Sequence, residues 1–137
     1  MLAPFATLNP DADTREFWEH CRRRELRFQR CAACGRFRQP PLPGCPRCAS
    51  SAHEWVQVGG RGRVFSYTVV HHAAVPVIQD DVPYVVIVVE FDEAPGARLV
   101  SNLIDAPADA ARIGLRVDLV WDDVAADVVL PRFRPTT

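Results

Sequence analysis

The chain has 137 residues, 48% hydrophobic and 24% charged, with a formal net charge of −1. That composition fits one globular domain, or two small modules on a shared core, and no apolar run approaches the roughly 18 residues a membrane span needs. All 16 basic residues are arginine, which excludes mechanisms built on a lysine Schiff base, a P-loop lysine or a lysine general base.

The near-zero net charge conceals a polarity. Residues Arg15 to Arg47 carry nine arginines and three glutamates, while the stretch from Ala49 to the end carries seven arginines and twelve acids. A basic front suits an anionic partner such as nucleic acid, a phosphorylated cofactor or an acidic protein face; it is equally consistent with a solvated arginine-rich surface. Met1 to Pro10 has neither a basic start nor a long apolar run, so no secretory leader is expected, and the cysteines are expected reduced in the cytoplasm.

In chain order, residues 1–12 carry Pro4 and Pro10 without periodicity and read as an extended lead-in. Asp13-Thr14-Arg15-Glu16 has the spacing of a capping box, so a helix is expected from about Thr14 to Arg24. Phe17, Trp18 and Cys21 form its apolar stripe, where Cys21 reads as a small buried hydrophobe. Leu26 and Phe28 then alternate with polar neighbours as a strand.

That strand leads to Cys31-Ala-Ala-Cys34-Gly35, followed after Cys34 by ten residues and then by Cys45-Pro46-Arg47-Cys48. A two-residue gap lets both sulfurs of one turn converge on a point. Two such turns supply the four thiolates of a closed tetrahedral zinc site, with no position left for chemistry. Two disulfides are the alternative, and they require an oxidising compartment. Pro40-Pro41-Leu42-Pro43-Gly44 forces an extended return between the knuckles, and Glu54 to Val58 reads as a closing strand. The whole is a zinc ribbon, too short to fold without its metal.

Gly59-Gly60-Arg61-Gly62 follows. With no helix N-terminus predicted after it, a turn or strand bend is the better reading than a phosphate loop. Five strands are then expected: Arg63 to His71, Tyr84 to Phe91, Arg98 to Ile104, Arg116 to Trp121, and a last one from Asp127 through Leu130 to Arg134. The alanine-rich stretch from Ala106 to Ile113 allows one or two helical turns. Five strands with a short helix between the third and fourth match an OB-fold barrel. The second strand is apolar on both faces, so one face must be covered by the helix, the ribbon or a partner chain. The fold class is therefore mainly β, divided into a lead-in and helix (1–25), a zinc ribbon (26–58) and an OB-fold (59–137).

Phe17-Trp18, Leu26 to Gly35, Cys45-Pro46-Arg47-Cys48, Gly60-Arg61-Gly62, Val82-Pro83-Tyr84, Ile113-Gly114 and Leu130-Pro131-Arg132-Phe133 occur in that order. Over about residues 14–135 the chain resembles the DUF35 family, which joins an N-terminal helix, a rubredoxin-like zinc ribbon and an OB-fold. The resemblance implies structural zinc on Cys31, Cys34, Cys45 and Cys48. It also implies a role beside acyl-CoA enzymes, as the small subunit of thiolase-like (lipid-transfer-protein-type) lyases, including those that cleave steroid side-chain CoA thioesters, or of MaoC-like hydratases. The large partner then carries the catalysis and the assembly is a hetero-oligomer.

The residues themselves agree with an accessory role, having no Gly-x-Ser-x-Gly elbow and no lysine. Arg61 and Arg63 are the candidate contacts to CoA phosphates by their position beside the glycine turn. Val82, Pro83 and Tyr84, with His71 and His72, are the candidate partner interface. Single-stranded nucleic-acid binding is the alternative, since ribbons and OB-folds both serve it; the acidic second half and the apolar setting of its aromatics count against it. An independent enzyme would have to use His71 or His72. Adjacent residues on a strand face opposite ways, so the two cannot share a metal or substrate.

Overall fold

The computed structural model describes residues 8–137; the lead-in expected over residues 1–12 lies outside the described residues as far as residue 7. The helix α1 (Arg15–Arg22) is followed by a ribbon of β1 (Arg27–Cys31), β2 (Phe37–Arg38) and β3 (His53–Gln57). The remaining strands are β4 (Arg61–Val70), β5 (Tyr84–Phe91), β6 (Ala94–Leu103), β7 (Arg116–Ala125) and β8 (Val128–Pro135).

The capping box does not form. Asp11 does the work instead: one carboxylate oxygen accepts from the amides of Asp13 and Thr14 and from the Thr14 hydroxyl, at 2.9–3.0 Å. These bonds, the Thr14 amide first, hold the Asp11 carboxyl below its usual pKa. Thr14 precedes the helix without a side-chain cap bond. At the other end the helix stops short of the expected Arg24. That residue takes a left-handed φ of 57°, and Glu25 donates its amide back to the His20 carbonyl at 3.0 Å, the arrangement that closes a helix when a residue tolerates positive φ. Arg24 then spends its guanidinium on Asp123 of β7, with both carboxylate oxygens at 2.6 Å.

In the ribbon, β1 lies between β2 and β3, antiparallel to both. The other five strands close a barrel in the order β4-β5-β6-β8-β7, the OB arrangement. β5 shows how the pattern positions everything else. Val85, Ile87, Val89 and Phe91 are buried, while Tyr84, Val86, Val88 and Glu90 alternate outward and are half-buried. The doubly apolar strand thus has one core face and one partly open face.

The glycine turn is a crossing point. A Cβ on Gly60 would collide with Leu119 of β7, and one on Gly62 would lie 2.5 Å from Val89 and 2.8 Å from the Glu90 carbonyl of β5. Only glycine lets β4 pass that close to both neighbours.

Closure between β6 and β8 rests on a single parallel pair, Leu103 with Phe133. Side chains supply the rest. Arg132, 5% exposed, donates to Asp122 of β7 at 2.7 Å and to Asn102 of β6, and Asn102 donates to the Val85 carbonyl of β5 at 3.0 Å. The Ser101 hydroxyl donates to the Pro131 carbonyl at 2.6 Å.

The aromatic rings of Phe28, Phe91 and Phe133 are in sequence 5.1 and 5.9 Å apart, centre to centre. They join ribbon and barrel in one hydrophobic core that also takes in Phe17, Cys21 and Leu26. Cys21 is fully buried, and burial pushes its thiol up to about 12, so it is the small hydrophobe the helix stripe implies.

Several boundaries differ from expectation. The helical turns expected over Ala106–Ile113 shrink to one 3-10 turn, Ala108–Ala110, because a stripe of alanines buries too little to hold a helix. A 3-10 turn at Pro76–Asp81 drops Ile78 into the core between β4 and β5. β4 ends at Val70, opposite Tyr84, so His71 and His72 follow the strand instead of alternating on it, and both are exposed. β6 begins at Ala94, not Arg98, because Phe91 pairs with Ala94 across a two-residue turn.

At the junction of helix and ribbon, His20 lies 5.2 Å from the Trp55 ring, with Arg23 Nη2 2.7 Å from its Nδ1. Burial holds the His20 pKa below its ordinary value of 6.5, and Arg23 and Arg27 push the same way. The unfolded chain therefore binds the proton more readily than the folded one. Stability is expected to be flat above pH 6.5 and to fall as pH drops through the window below it. Denaturant midpoints at pH 7.5 and 5.5 check this, and His20→Gln should reduce the difference.

Candidate metal centre

Each knuckle is built the same way. Cys31 ends β1 and Cys34 sits three residues on, with the Cys34 amide directed at Cys31 Sγ (3.5 Å) and the Gly35 amide donating to the Cys31 carbonyl (2.9 Å). In the second knuckle the Arg47 amide points at Cys45 Sγ (3.4 Å) and the Ala49 amide donates to the Cys45 carbonyl (2.8 Å). The residue after each second cysteine is left-handed: Gly35 at φ 79° and Ala49 at φ 66°. The first was legible as a glycine; alanine gives no such signal.

The four sulfur atoms lie within 4.8 Å of one another, with Cys31–Cys48 and Cys34–Cys45 at 3.6 Å. A tetrahedral zinc with bonds of about 2.3 Å sets its sulfurs about 3.8 Å apart, so the donor set fits. The backbone favours thiolates. Amides of Cys48 and Arg47 bring the Cys45 thiol down to about 6, and those of Cys34 and Ala33 lower Cys31. Cys48, which the Ser50 amide would lower, is pushed up to about 11 by its sulfur neighbours, Cys31 foremost. A cation at the centre relieves that crowding of negative charge. Cys31 and Cys45 are buried and Cys34 and Cys48 exposed. Four protein ligands leave zinc no open position, so the centre is structural.

The other candidate residues form two groups at opposite ends of β4. His71, His72, Val82, Pro83 and Tyr84 come together where β4 leaves β5, since Val70 pairs with Tyr84. Pro83 and Tyr84 line a cavity of about 250 Å³ that reaches Asn102 and Arg132. At the far end, the Arg61 side chain is 91% exposed and 3.8 Å from Asp118. Arg63 is held by Glu90 at 2.8 Å and Asp92 at 2.6 Å. Hydrogen bonds from Arg63 also hold the Asp92 carboxyl below the usual carboxylate range.

Sequence reasoning missed one surface feature. A bulge between Val64 and Ser66 turns Phe65 outward, where the Arg98 guanidinium lies 3.7 Å above its ring. Phe65 is 40%, Val100 66% and Ile113 72% exposed. In the sequence Phe65 sits in a hydrophobic run and reads as core; its missing signal is a register shift that only pairing with β5 defines.

The chain matches the ChsH2 rubredoxin-like zinc ribbon domain over residues 18–54 and the ChsH2 C-terminal OB-fold domain over residues 55–122. It is 42% identical over 135 residues to a probable enoyl-CoA hydratase alpha subunit of Thermomonospora curvata. That match covers 98% of this chain and 40% of the relative, so the chain spans well under half of that protein. It is 31% identical to a DUF35 domain-containing scaffold protein of Methanocaldococcus jannaschii, covering 80% of this chain and 77% of the relative. Among solved structures it matches a chain of the Ltp2-ChsH2(DUF35) aldolase with a TM-score of 0.85 and 39% identity, over 96% of this chain and 100% of that one.

Proposed function

We propose, because this chain belongs to the DUF35 family of zinc-ribbon and OB-fold proteins, that it is a non-catalytic accessory subunit of a complex that processes acyl-CoA thioesters. The partner is a thiolase-like lyase that cleaves a carbon–carbon bond of the thioester, by retro-aldol or thiolytic chemistry; a steroid side chain is one such acyl group. A MaoC-like hydratase is the second partner class in view, favoured by the hydratase relative. The observation that carries the reading is the match, over 96% of this chain, to a chain of the Ltp2-ChsH2(DUF35) aldolase.

The chain's own chemistry supports it. Four cysteines are committed to a closed metal site and the fifth is buried with its thiol up at about 12. His71 and His72 lie exposed beyond the end of β4. No helix among the described residues is long and apolar enough to cross a membrane. Four cysteines gathered as metal ligands, with no disulfide among them, suit a reducing compartment, the cytoplasm.

Co-purification of the tagged chain from its native organism tests the reading. A thiolase-like or hydratase-like protein in near-equal amount is expected; recovery of nucleic acid and ribosomal proteins alone would contradict it. CoA binding is a second, separable expectation. Arg61 is highly exposed with one carboxylate at the edge of reach, whereas Arg63 is neutralised by two acids, so Arg61→Ala should weaken CoA binding to the complex more than Arg63→Ala does. That binding should also decline with salt. Calorimetry with free CoA checks this, and unchanged affinity in both variants removes CoA from this chain.

A further inference from the structure

The outward residues around the β4 bulge form a continuous row. The Gly114 amide donates to the Val64 carbonyl (2.8 Å) and the Val64 amide to the Leu115 carbonyl (2.9 Å), which lays Ile113 beside Phe65. Next across the sheet, Ser66 pairs with Val88 and Val88 with Val100. Ile113, Phe65, Val88 and Val100 thus run as an apolar band over three strands, and three of the four are among the most exposed large hydrophobics of the chain. A band of this kind on the outside of a small barrel marks a contact surface.

Charge decides what covers it. Arg98 sits over the Phe65 ring and makes no ion pair among the described residues. Glu90 of β5 lies cross-strand from both Arg98 and Arg63, but Arg63 has already taken it together with Asp92. Arg112, next to Ile113, adds a second exposed guanidinium without a carboxylate among the described residues. Two copies of this chain packed face to face would bury these arginines with no acid to meet them, which is costly. An aromatic with a stacked arginine inside an apolar ring is instead the composition of an interface hot spot.

Resting on the accessory-subunit reading, we infer that the band Ile113–Phe65–Val88–Val100 is the docking surface for the partner subunit, and that the partner presents an apolar patch carrying a carboxylate to Arg98. The partner meets the outside of the β4–β5–β6 sheet. Arg98 sets its register, and the valines and Phe65 supply the buried area.

The test mixes purified chain with the large subunit identified by co-purification and measures Kd by calorimetry, with zinc content and melting temperature as controls for folding. Val100→Arg and Arg98→Glu should each weaken binding by about thirtyfold or more, with zinc and melting temperature unchanged. Arg15→Glu, an equal charge change on the exposed side of α1, should shift Kd less than threefold. Equal losses from Arg15→Glu and Arg98→Glu would mean long-range charge, not this surface, and would overturn the inference. So would unchanged binding in Val100→Arg, which leaves the accessory reading intact. A wild-type chain that dimerises alone and becomes monomeric on Val100→Arg would assign the band to self-association. A wild-type chain that holds no large subunit at all removes the accessory reading and the docking surface with it.

Discussion

Cys34→Ser is expected to leave the protein unfolded or insoluble, and complete chelation of the wild type is expected to do the same. Structural zinc sites in peptide-sized modules contribute on the order of 10–16 kcal/mol at neutral pH, whereas whole domains are stable by only about 5–15 kcal/mol. Nothing in the ribbon replaces that contribution: β2 has two residues and the segment between the knuckles carries Pro40, Pro41 and Pro43. The damage does not stop at the ribbon. Phe28 of β1 is fully buried and packs on Phe91 of the barrel, so a disordered ribbon strips the barrel core of one wall. Cys21→Ser is the control, since Cys21 touches no part of the metal site and its loss should lower stability with zinc retained at about one per chain. Metal analysis and thermal melts separate the two variants; a melting temperature unaffected by full chelation would refute the structural-zinc reading.

Asp122→Ala is expected to cost about 3 kcal/mol, or about 10 °C in melting temperature. The reason is the weak main-chain closure between β6 and β8, which one bridging pair provides. Arg132 spans that seam, 5% exposed, with Asp122 on one side and Asn102 on the other. Removing the carboxylate takes a charge-assisted hydrogen bond from a nearly buried guanidinium, and the neutral Asn102 oxygen does not replace that charge. The double variant Asp122→Leu with Arg132→Met removes both charges and should recover most of the loss. Matched denaturation curves of the single and double variants decide the point: a single variant as stable as wild type would mean the seam is closed by other contacts.

How much of this was legible depended on the range of the interaction. The four ligands of the metal centre could be read because their determinants are local: two gaps of two residues, and in the first knuckle a glycine that accepts positive φ, though Ala49 does the same in the second without any signal. The barrel could be counted because its strands are separate apolar runs broken by turn residues, and along β5 burial alternates with period 2. Long-range pairing was not legible. Nothing in Val64-Phe65-Ser66 announces a bulge, and nothing near Arg132 names Asp122, ten residues before it, as its partner. Local competition also misled. Asp13-Thr14-Arg15-Glu16 has the spacing of a cap, but Asp11 lies two residues earlier and its oxygen takes the Asp13 amide that Glu16 would have reached, together with the Thr14 amide. Phe91-Asp92-Glu93-Ala94 makes a tight hairpin without the glycine or asparagine that usually marks one.

The accessory role is the centre of the account, and one assay bears on it most directly. The chain, its large subunit and the two together are each supplied with a CoA thioester of the partner's substrate class, and cleavage or hydration is followed by chromatography of the CoA products. The account predicts no turnover by the chain alone, low or no turnover by the large subunit alone, and full activity on mixing. Turnover by the chain alone, or full activity of the large subunit without it, would contradict the account.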